Sequence, residues 1–168
     1  MHEHQHTAVS MLPIHTISSK AREDFFVNQW GSTEMIVSSG VYHCLELDGY
    51  ASVTSDHFIN GMITFVTRLP ESICEIISLD SLQKGKGTGS QLLIESEQTA
   101  MLAGCREMRM ITTNDNLEAL RFYQKRGYRL TAVYPDAVHQ ARLRKPSIPL
   151  VAENGIPIRD ELLLSKLL

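Results

Sequence analysis

Residues 79–93 read LDSLQKGKGTGSQLL, and this stretch joins an apolar run at 73–79 to a segment with helical apolar periodicity. Three alternate glycines, Gly85, Gly87 and Gly89, stand at its centre. Glycine permits positive φ and lets backbone N–H groups approach a partner closely. A turn of this kind before a helix presents unpaired N–H donors and the positive end of the helix dipole. The stretch therefore predicts a phosphate-binding turn between a strand and a helix, the alternative being a flexible, solubilising turn.

Two common phosphate motifs do not fit this turn. A P-loop ends in Gly-Lys-Ser/Thr, which does not occur here, and the dinucleotide fingerprint needs Gly or Ala where this chain has Ser90 or Leu92. What remains is the hexapeptide KGKGTG at 84–89. It resembles the acyl-CoA pyrophosphate loop of the GNAT acetyltransferases, Q/R-x-x-G-x-G/A. Lys84 holds the Gln/Arg place, which loses a planar donor but keeps the charge.

A second motif lies in the predicted helix 117–126. Asn116, Ala119 and Tyr123 stand at i, i+3 and i+7 and share one helix face, with roughly 10 Å between the first and the last. In the alternative interpretation Asn116 only caps the helix and Tyr123 is a core aromatic. The pattern N-x-x-A-x-x-x-Y-x-x-x-G-Y, after a glycine-rich loop and a strand, resembles the second cofactor motif of the same family. The paired match covers about residues 73–134, and the ending KPSIPLVAENGIPIRDELLL also looks like a GNAT subgroup.

The resemblance implies an acetyl-CoA cosubstrate held where strand 73–79 splays apart from strand 108–112. The pyrophosphate would lie on the glycine turn, and the pantetheine would pair with the backbone of 77–79. Backbone N–H groups at a bulge of strand 73–79 would polarise the acetyl carbonyl. The implied cofactor-binding residues are Ile77, Ser78, Leu79, Lys84, Gly85, Lys86, Gly87, Thr88, Gly89, Ser90, Asn116 and Tyr123.

Tyr123 and Glu75 are the predicted catalytic residues. A phenol of pKa ~10 can protonate a departing thiolate of pKa ~8.5, whereas freeing an alkyl amine of its proton at pH 7 costs about 4 to 5 kcal/mol. Glu75 is the candidate base, because it interrupts an apolar strand where a carboxylate is costly unless it is used or paired. An ion-paired or solvated position is the alternative for Glu75. His139 is the second candidate base.

The remaining pattern predicts an α/β fold, and the resemblance implies a mixed, mostly antiparallel central sheet, splayed at the acetyl-CoA site and flanked by helices. Asp48-Gly49 is predicted to be a two-residue hairpin turn. Ser18 or Ser19 is predicted to cap a first helix that runs to about Trp30, with Phe25, Phe26 and Trp30 on or near its buried face. Further helices are predicted at 91–103, with Gly104 as a C-cap, at 117–126 and at 136–143. The predicted strands are 11–17, 35–37, 41–47, 50–53, 58–67, 73–79, 108–112, 128–134 and 158–168.

Composition sets the class of protein. The chain has 168 residues, 43% apolar and 21% charged, which is typical of one soluble domain. No apolar run approaches the roughly 18 residues of a membrane span, and no secretory signal is visible, so we expect a cytoplasmic protein without a membrane partner. Residues 1–8, with alternate His2, His4 and His6, are predicted to be a disordered or tag-like tail before a single N-acetyltransferase domain at 9–168.

Cysteine spacing gives no metal site. Cys44, Cys74 and Cys105 are odd in number and about 30 residues apart, which predicts buried free thiols and no metal cofactor.

Three functions follow. The first is an N-acetyltransferase that moves an acetyl group directly to an amine of a small molecule or peptide; the alternative is a CoA-binding module without transfer activity. The third, nucleic-acid binding through Arg142, Arg144 and Lys145, is disfavoured by the net charge of −3, and these residues would otherwise face solvent or the acceptor. A homodimer formed through the last strand is a further expectation.

Overall fold

The computed structural model describes residues 8–168. The predicted tail with His2, His4 and His6 lies outside the described residues, apart from Ala8. The helices are α1 (Ser19–Trp30), α2 (Thr88–Leu102), α3 (Leu117–Gln124) and α4 (Ala137–Arg144). The strands are β1 (Val9–Pro13), β2 (Glu34–Val37), β3 (Gly40–His43), β4 (Asp48–Thr54), β5 (Ile59–Arg68), β6 (Ile73–Ser81), β7 (Glu107–Thr113), β8 (Arg129–Tyr134) and β9 (Glu161–Leu167).

Seven of these strands form one mixed sheet in the order β1-β4-β5-β6-β7-β9-β8, while β2 and β3 form a separate antiparallel hairpin. Within the sheet β6 and β7 run parallel, and the other neighbouring pairs run antiparallel. The predicted α/β class with a mostly antiparallel sheet is confirmed.

Helices cover both faces of the sheet. Successive side chains of a strand point to opposite faces, and β5 shows this with Met62 and Ile63. Met62 packs in one core cluster with Phe26 of α1, whereas Ile63 packs in the other with Leu92 of α2. Ser18 caps the start of α1, as predicted: its hydroxyl oxygen accepts a hydrogen bond from the Ala21 N–H at 3.2 Å.

The sheet opens between β6 and β7. Their pairing runs from Ile73 with Glu107 to Ile76 with Met110, although β6 continues to Ser81 and β7 to Thr113. On its other edge β6 has a bulge, because Thr64 pairs with Ser78 and Phe65 pairs with Ile76, which leaves Ile77 as the extra residue. The predicted splay is confirmed, and the bulge lies at its start.

The predicted hairpin turn at Asp48-Gly49 is wrong. Both residues lie in β4, where Gly49 pairs with Thr64. A Cβ atom at Gly49 would lie 1.9 Å from the Ile63 carbonyl oxygen. Glycine is therefore needed here for the close approach of two strands and not for a turn.

The last strand has no edge to which a second copy could add a strand, and dimerisation itself stays a prediction. β9 pairs with β7 on one side and with β8 on the other, so it has no free edge for a second copy. The edges of this sheet are β1 and β8.

The three cysteines are free and buried, as predicted. Burial raises the pKa of the Cys44 and Cys74 thiols to about 12, so neither is available as a thiolate near neutral pH.

Candidate active site

The glycine turn places unpaired N–H groups at the start of α2. Gly85 and Gly87 have φ of 75° and 79°, which confirms the predicted positive φ at these two positions. The Gln91 N–H is the first to bond back, to the Gly87 carbonyl oxygen at 3.0 Å. The N–H groups of residues 88–90 have no acceptor among the described residues, and they point with the helix dipole towards the turn.

Gly89 serves a different purpose. It lies inside α2 without a positive φ, so the expectation of a loop glycine is wrong there. A Cβ atom at this position would lie 3.3 Å from the Phe122 ring of α3. Glycine at 89 therefore allows α2 and α3 to pack closely beside the turn.

Two kinds of cation surround the turn. Lys84 is exposed and pairs with Glu118 at 2.7 Å, and Lys86 is exposed as well. Arg126 lies 3.7 Å over the Phe122 ring and donates to the Ser90 hydroxyl at 2.5 Å through Nη2. Sequence reasoning missed Arg126, because no spacing connects it with a turn some 36 residues earlier.

A cavity of about 680 Å³ extends from this turn; we call it the glycine-turn cavity. Its lining includes Lys84, Gly85, Gly87, Thr88, Gly89, Ser90 and Arg126. A second cavity of about 370 Å³ lies under β2 and between β6 and β7; we call it the hairpin cavity. Both are lined by Trp30, Leu79, Asn116, Ala119 and Tyr123, so these residues stand where the two cavities meet.

Tyr123 is 3% exposed at this junction. Its hydroxyl has no hydrogen-bond partner among the described residues and is accessible from the cavities. Burial raises the pKa of the Tyr123 phenol above its usual value of 10, and the Asp80 carboxylate adds to this while Arg126 opposes it. The phenol is therefore protonated at neutral pH.

Asn116 caps the start of α3 and also reaches the junction. Its Oδ1 accepts the Ala119 N–H at 3.1 Å, so the capping alternative given for it is confirmed. The remaining amide group is available at the cavities, which both have Asn116 in their wall. Capping and ligand contact are therefore compatible in this residue.

The β6 residues lie where the sheet opens. Ile77, Ser78 and Leu79 all line the hairpin cavity. The Ser78 hydroxyl is engaged with the Thr64 hydroxyl at 2.5 Å, so the backbone is the part of Ser78 that is left for a ligand.

Glu75 is buried and paired. Its carboxylate accepts a hydrogen bond from the Arg68 guanidinium and another from the Ser39 hydroxyl at 2.5 Å, and Arg68 also donates to Tyr42. Glu75 lines neither cavity. The ion-paired alternative is confirmed, and the role of Glu75 as a base stays a prediction. His139 is exposed and lines neither cavity.

Asp80 and Trp30 form a pair that the sequence does not indicate. The Trp30 indole donates to Asp80 Oδ2 at 2.7 Å, and both line the glycine-turn cavity. The helical pattern predicted that Trp30 would lie on or near the buried face of α1, but its side chain is 37% exposed. Burial raises the pKa of the Asp80 carboxyl from 3.8 to about 6, and the bond from Trp30 opposes this.

The basic run near the end of α4 does not form one face. Arg142 donates to the backbone oxygens of Ile148, Pro149 and Ile158, which holds the following loop. Arg144 lies 3.6 Å from Glu34, and Lys145 lines the hairpin cavity.

Among residues 8–168, no cluster of three His, Cys, Asp or Glu side chains is arranged to hold a metal. In the same residues no helix has the length and apolar character to cross a bilayer.

Comparison with known proteins agrees with this geometry. Residues 16–128 match the family model "Acetyltransferase (GNAT) family". YdhI of Bacillus subtilis (strain 168), named as an uncharacterized protein, is 49% identical over 158 residues, which is 94% of this chain and 98% of YdhI.

The solved structures that share the fold include two acetyltransferases from Bacillus species. The IAA acetyltransferase of Bacillus cereus ATCC 14579 superposes with a TM-score of 0.68 at 22% identity, over 96% of this chain and 100% of that one. A Bacillus subtilis acetyltransferase in complex with CoA gives a TM-score of 0.67 at 20% identity, over 96% and 99% of the two chains. The family match and the fold together confirm the resemblance drawn from the two motifs: this chain belongs to the GNAT acetyltransferase family.

Proposed function

We propose that the protein is an acetyl-CoA-dependent N-acetyltransferase that moves an acetyl group directly to an amine of a small molecule or peptide. The observation that supports this best is the position of the Tyr123 hydroxyl. It stands without a protein partner where the glycine-turn cavity meets the hairpin cavity. A thioester entering from the first cavity and an amine entering from the second would meet beside it.

The cosubstrate would be held mainly by backbone groups. Its pyrophosphate would bind the free N–H groups of Thr88, Gly89 and Ser90, with Arg126 and the lysines adding positive charge. Lys84 would leave Glu118 for the phosphate, an exchange of little cost because that pair is exposed. The pantetheine would run along residues 77–79 of β6, whose edge is free of β7 there, with Asn116 beside it. Support comes from the fold neighbour solved with CoA.

The transfer needs one acid and one proton acceptor. The amine nitrogen forms a bond to the acetyl carbon, the carbon–sulfur bond breaks, and the thiolate takes the proton of Tyr123. A backbone N–H at the Ile77 bulge would stabilise the negative charge on the acetyl oxygen. The proton of the amine must go elsewhere, and Glu75 is the predicted base, although Arg68 and Ser39 already occupy its carboxylate.

Further expectations accompany this proposal. Residues 9–168 would act as one catalytic domain in the cytoplasm, with neither nucleic acid nor membrane as a partner. A homodimer would have to form without strand addition at β9, whose two edges are already paired.

The test has two stages. CoA is first titrated into the protein by calorimetry, and acetyl-CoA turnover is then followed by thiol release against a panel of polyamines, amino acids, aminoglycosides and peptides. Binding with turnover of an amine supports the transferase. Binding without turnover across the panel would favour the CoA-binding module, and no binding of CoA would refute both.

A further inference from the structure

Glu161 is a buried carboxylate in the wall of the hairpin cavity. It is 2% exposed and stands at the first position of β9, opposite Thr113 of β7. Its Oε2 accepts the Ser38 N–H at 2.8 Å and also the Ser38 hydroxyl. These two bonds fix the carboxylate and tie it to the turn between β2 and β3.

The other oxygen of Glu161 is free. Among the described residues Oε1 has no hydrogen-bond partner, and no lysine, arginine or histidine nitrogen lies within 4.0 Å of the carboxylate. Two other shielded carboxylates in this chain have a cation, since Arg68 pairs with Glu75 and Lys166 with Glu97, and Asp80, which has none, receives the Trp30 indole N–H instead. A buried carboxylate without a counter-ion is costly, so its position at a cavity indicates that a cation arrives from outside.

The remaining charges of the cavity are already engaged or lie nearer to solvent. Glu34 has a side chain that is 32% exposed and lies 3.6 Å from Arg144. Lys145 donates to the Ser32 hydroxyl at 3.2 Å. Much of the rest of the wall is apolar and includes Met35, Val37, Val138, Ala141 and Ile148.

We propose that Glu161 binds the acetyl acceptor as its ammonium ion, which makes the acceptor an alkyl amine that is cationic in solution and carried on an apolar chain. This ammonium ion must release one proton to a base before its nitrogen can attack the thioester. The proposal rests on the proposed function, because the hairpin cavity also has Tyr123 in its wall. The apolar wall holds the chain of the acceptor, and the carboxylate selects the cation over a neutral analogue of the same shape. In the competing interpretation Glu161 only anchors the hairpin through Ser38.

The experiment compares n-hexylamine with 1-hexanol on the CoA-saturated protein at pH 7 by calorimetry. The amine is cationic at this pH because an alkyl ammonium has a pKa of ~10.4. We expect the wild type to bind the amine at least tenfold more tightly than the alcohol. In Glu161→Gln, which keeps an oxygen for Ser38 but has no charge, the two ligands should bind equally.

Glu107→Gln is the matched control. Glu107 lies at the opposite end of the same β7–β9 pairing, forms an ion pair with Arg109 and lines neither cavity. It should keep the preference for the amine. With an accepted amine, Glu161→Gln should raise the KM for that amine at least tenfold and change the KM for acetyl-CoA less than twofold.

Equal binding of amine and alcohol by the wild type would overturn the proposal. So would a preference that persists in Glu161→Gln, even if that variant melts earlier, since a mere anchor affects only stability. If the variant does not fold, the wild-type comparison of the two ligands decides. The CoA titration distinguishes failure of the proposed function from failure of the Glu161 proposal. If CoA does not bind, the proposed function is wrong, and the comparison of amine with alcohol on the free protein still tests Glu161.

Discussion

Tyr123 has a buried ring and an accessible hydroxyl. The ring packs between Phe122 and Tyr128, while the hydroxyl faces the two cavities. Edge-to-face contacts with both rings fix the direction of the hydroxyl. Burial keeps the phenol protonated, which is the state that a proton donor needs.

Replacing Tyr123 with Phe should lower kcat at least tenfold, because the thiolate then leaves without its proton donor. The KM for acetyl-CoA should change little, since the ring remains. Thiol release with an accepted amine measures both constants. Tyr50→Phe is the control: its hydroxyl bonds Thr99 at 2.7 Å and lies outside both cavities. An unchanged kcat in Tyr123→Phe would remove this residue from the mechanism.

Asp80 should make stability depend on pH. Its pKa is about 6 in the folded protein against 3.8 when exposed, so the folded state binds the proton more tightly and this contribution to stability falls as the pH rises from about 4 to 6. Asp80→Asn removes that cost and still offers an oxygen to Trp30. Urea unfolding should show the variant to be more stable by about 2 to 3 kcal/mol at pH 7 and by little at pH 4. Equal differences at both pH values would contradict this.

Local spacing predicted some of the residues that line the cavities and not others. Tyr123 lies on the short helix α3 and Asn116 caps it, so the i, i+7 spacing places the two residues on one face. Glu161 and Asp80 acquire their partners only in the folded chain, because Ser38 is 123 residues from Glu161 and Trp30 is 50 from Asp80. Spacing along the sequence carries no signal for such pairs.

At the scale of elements, α2 carries a glycine with positive φ beyond each end. Gly87 precedes it with φ 79°, and Gly104 follows it with φ 94°. A Cβ atom at either position would meet nothing within 4 Å, so Gly87→Ala and Gly104→Ala should each cost about 1 kcal/mol through backbone strain alone.

Only Gly87→Ala should also weaken CoA binding, by at least tenfold, because it reorients the N–H groups at the start of α2. Calorimetry with CoA, together with urea unfolding, compares the two variants at matched strain. If both variants bind CoA as the wild type does, the pyrophosphate does not lie on this turn.

Element prediction was most accurate where capping residues mark the ends. Ser18 marks the start of α1, and Gly104 follows the end of α2. The start of α2 was predicted less well, because the helix begins at Thr88, three residues before the predicted 91 and inside the glycine turn. Asp48-Gly49 misled, because a glycine required by strand contact looks the same in sequence as a turn glycine. The position of β9 between β7 and β8 depends on long-range pairing, which periodicity does not report.

For the whole molecule, CoA should act as a stabiliser. A ligand at 100 times its Kd adds about 2.7 kcal/mol to the free energy of unfolding, and for a domain of this size each kcal/mol raises Tm by about 2 to 4 °C. A Tm increase of roughly 5 to 10 °C is therefore expected in a thermal scan. Pantetheine, which lacks the pyrophosphate, should give a much smaller increase at the same concentration. Equal increases would show that the glycine turn does not contribute.

The hairpin of β2 and β3 is fastened through two adjacent residues to two different strands. Ser38 donates to Glu161 of β9, and Ser39 donates to Glu75 of β6. A turn that gained or lost one residue would present the wrong hydroxyl to each carboxylate and leave both anions short of a donor. The length of this loop is thus set by its two anchors, and relatives that lengthen it would need to replace both glutamates together.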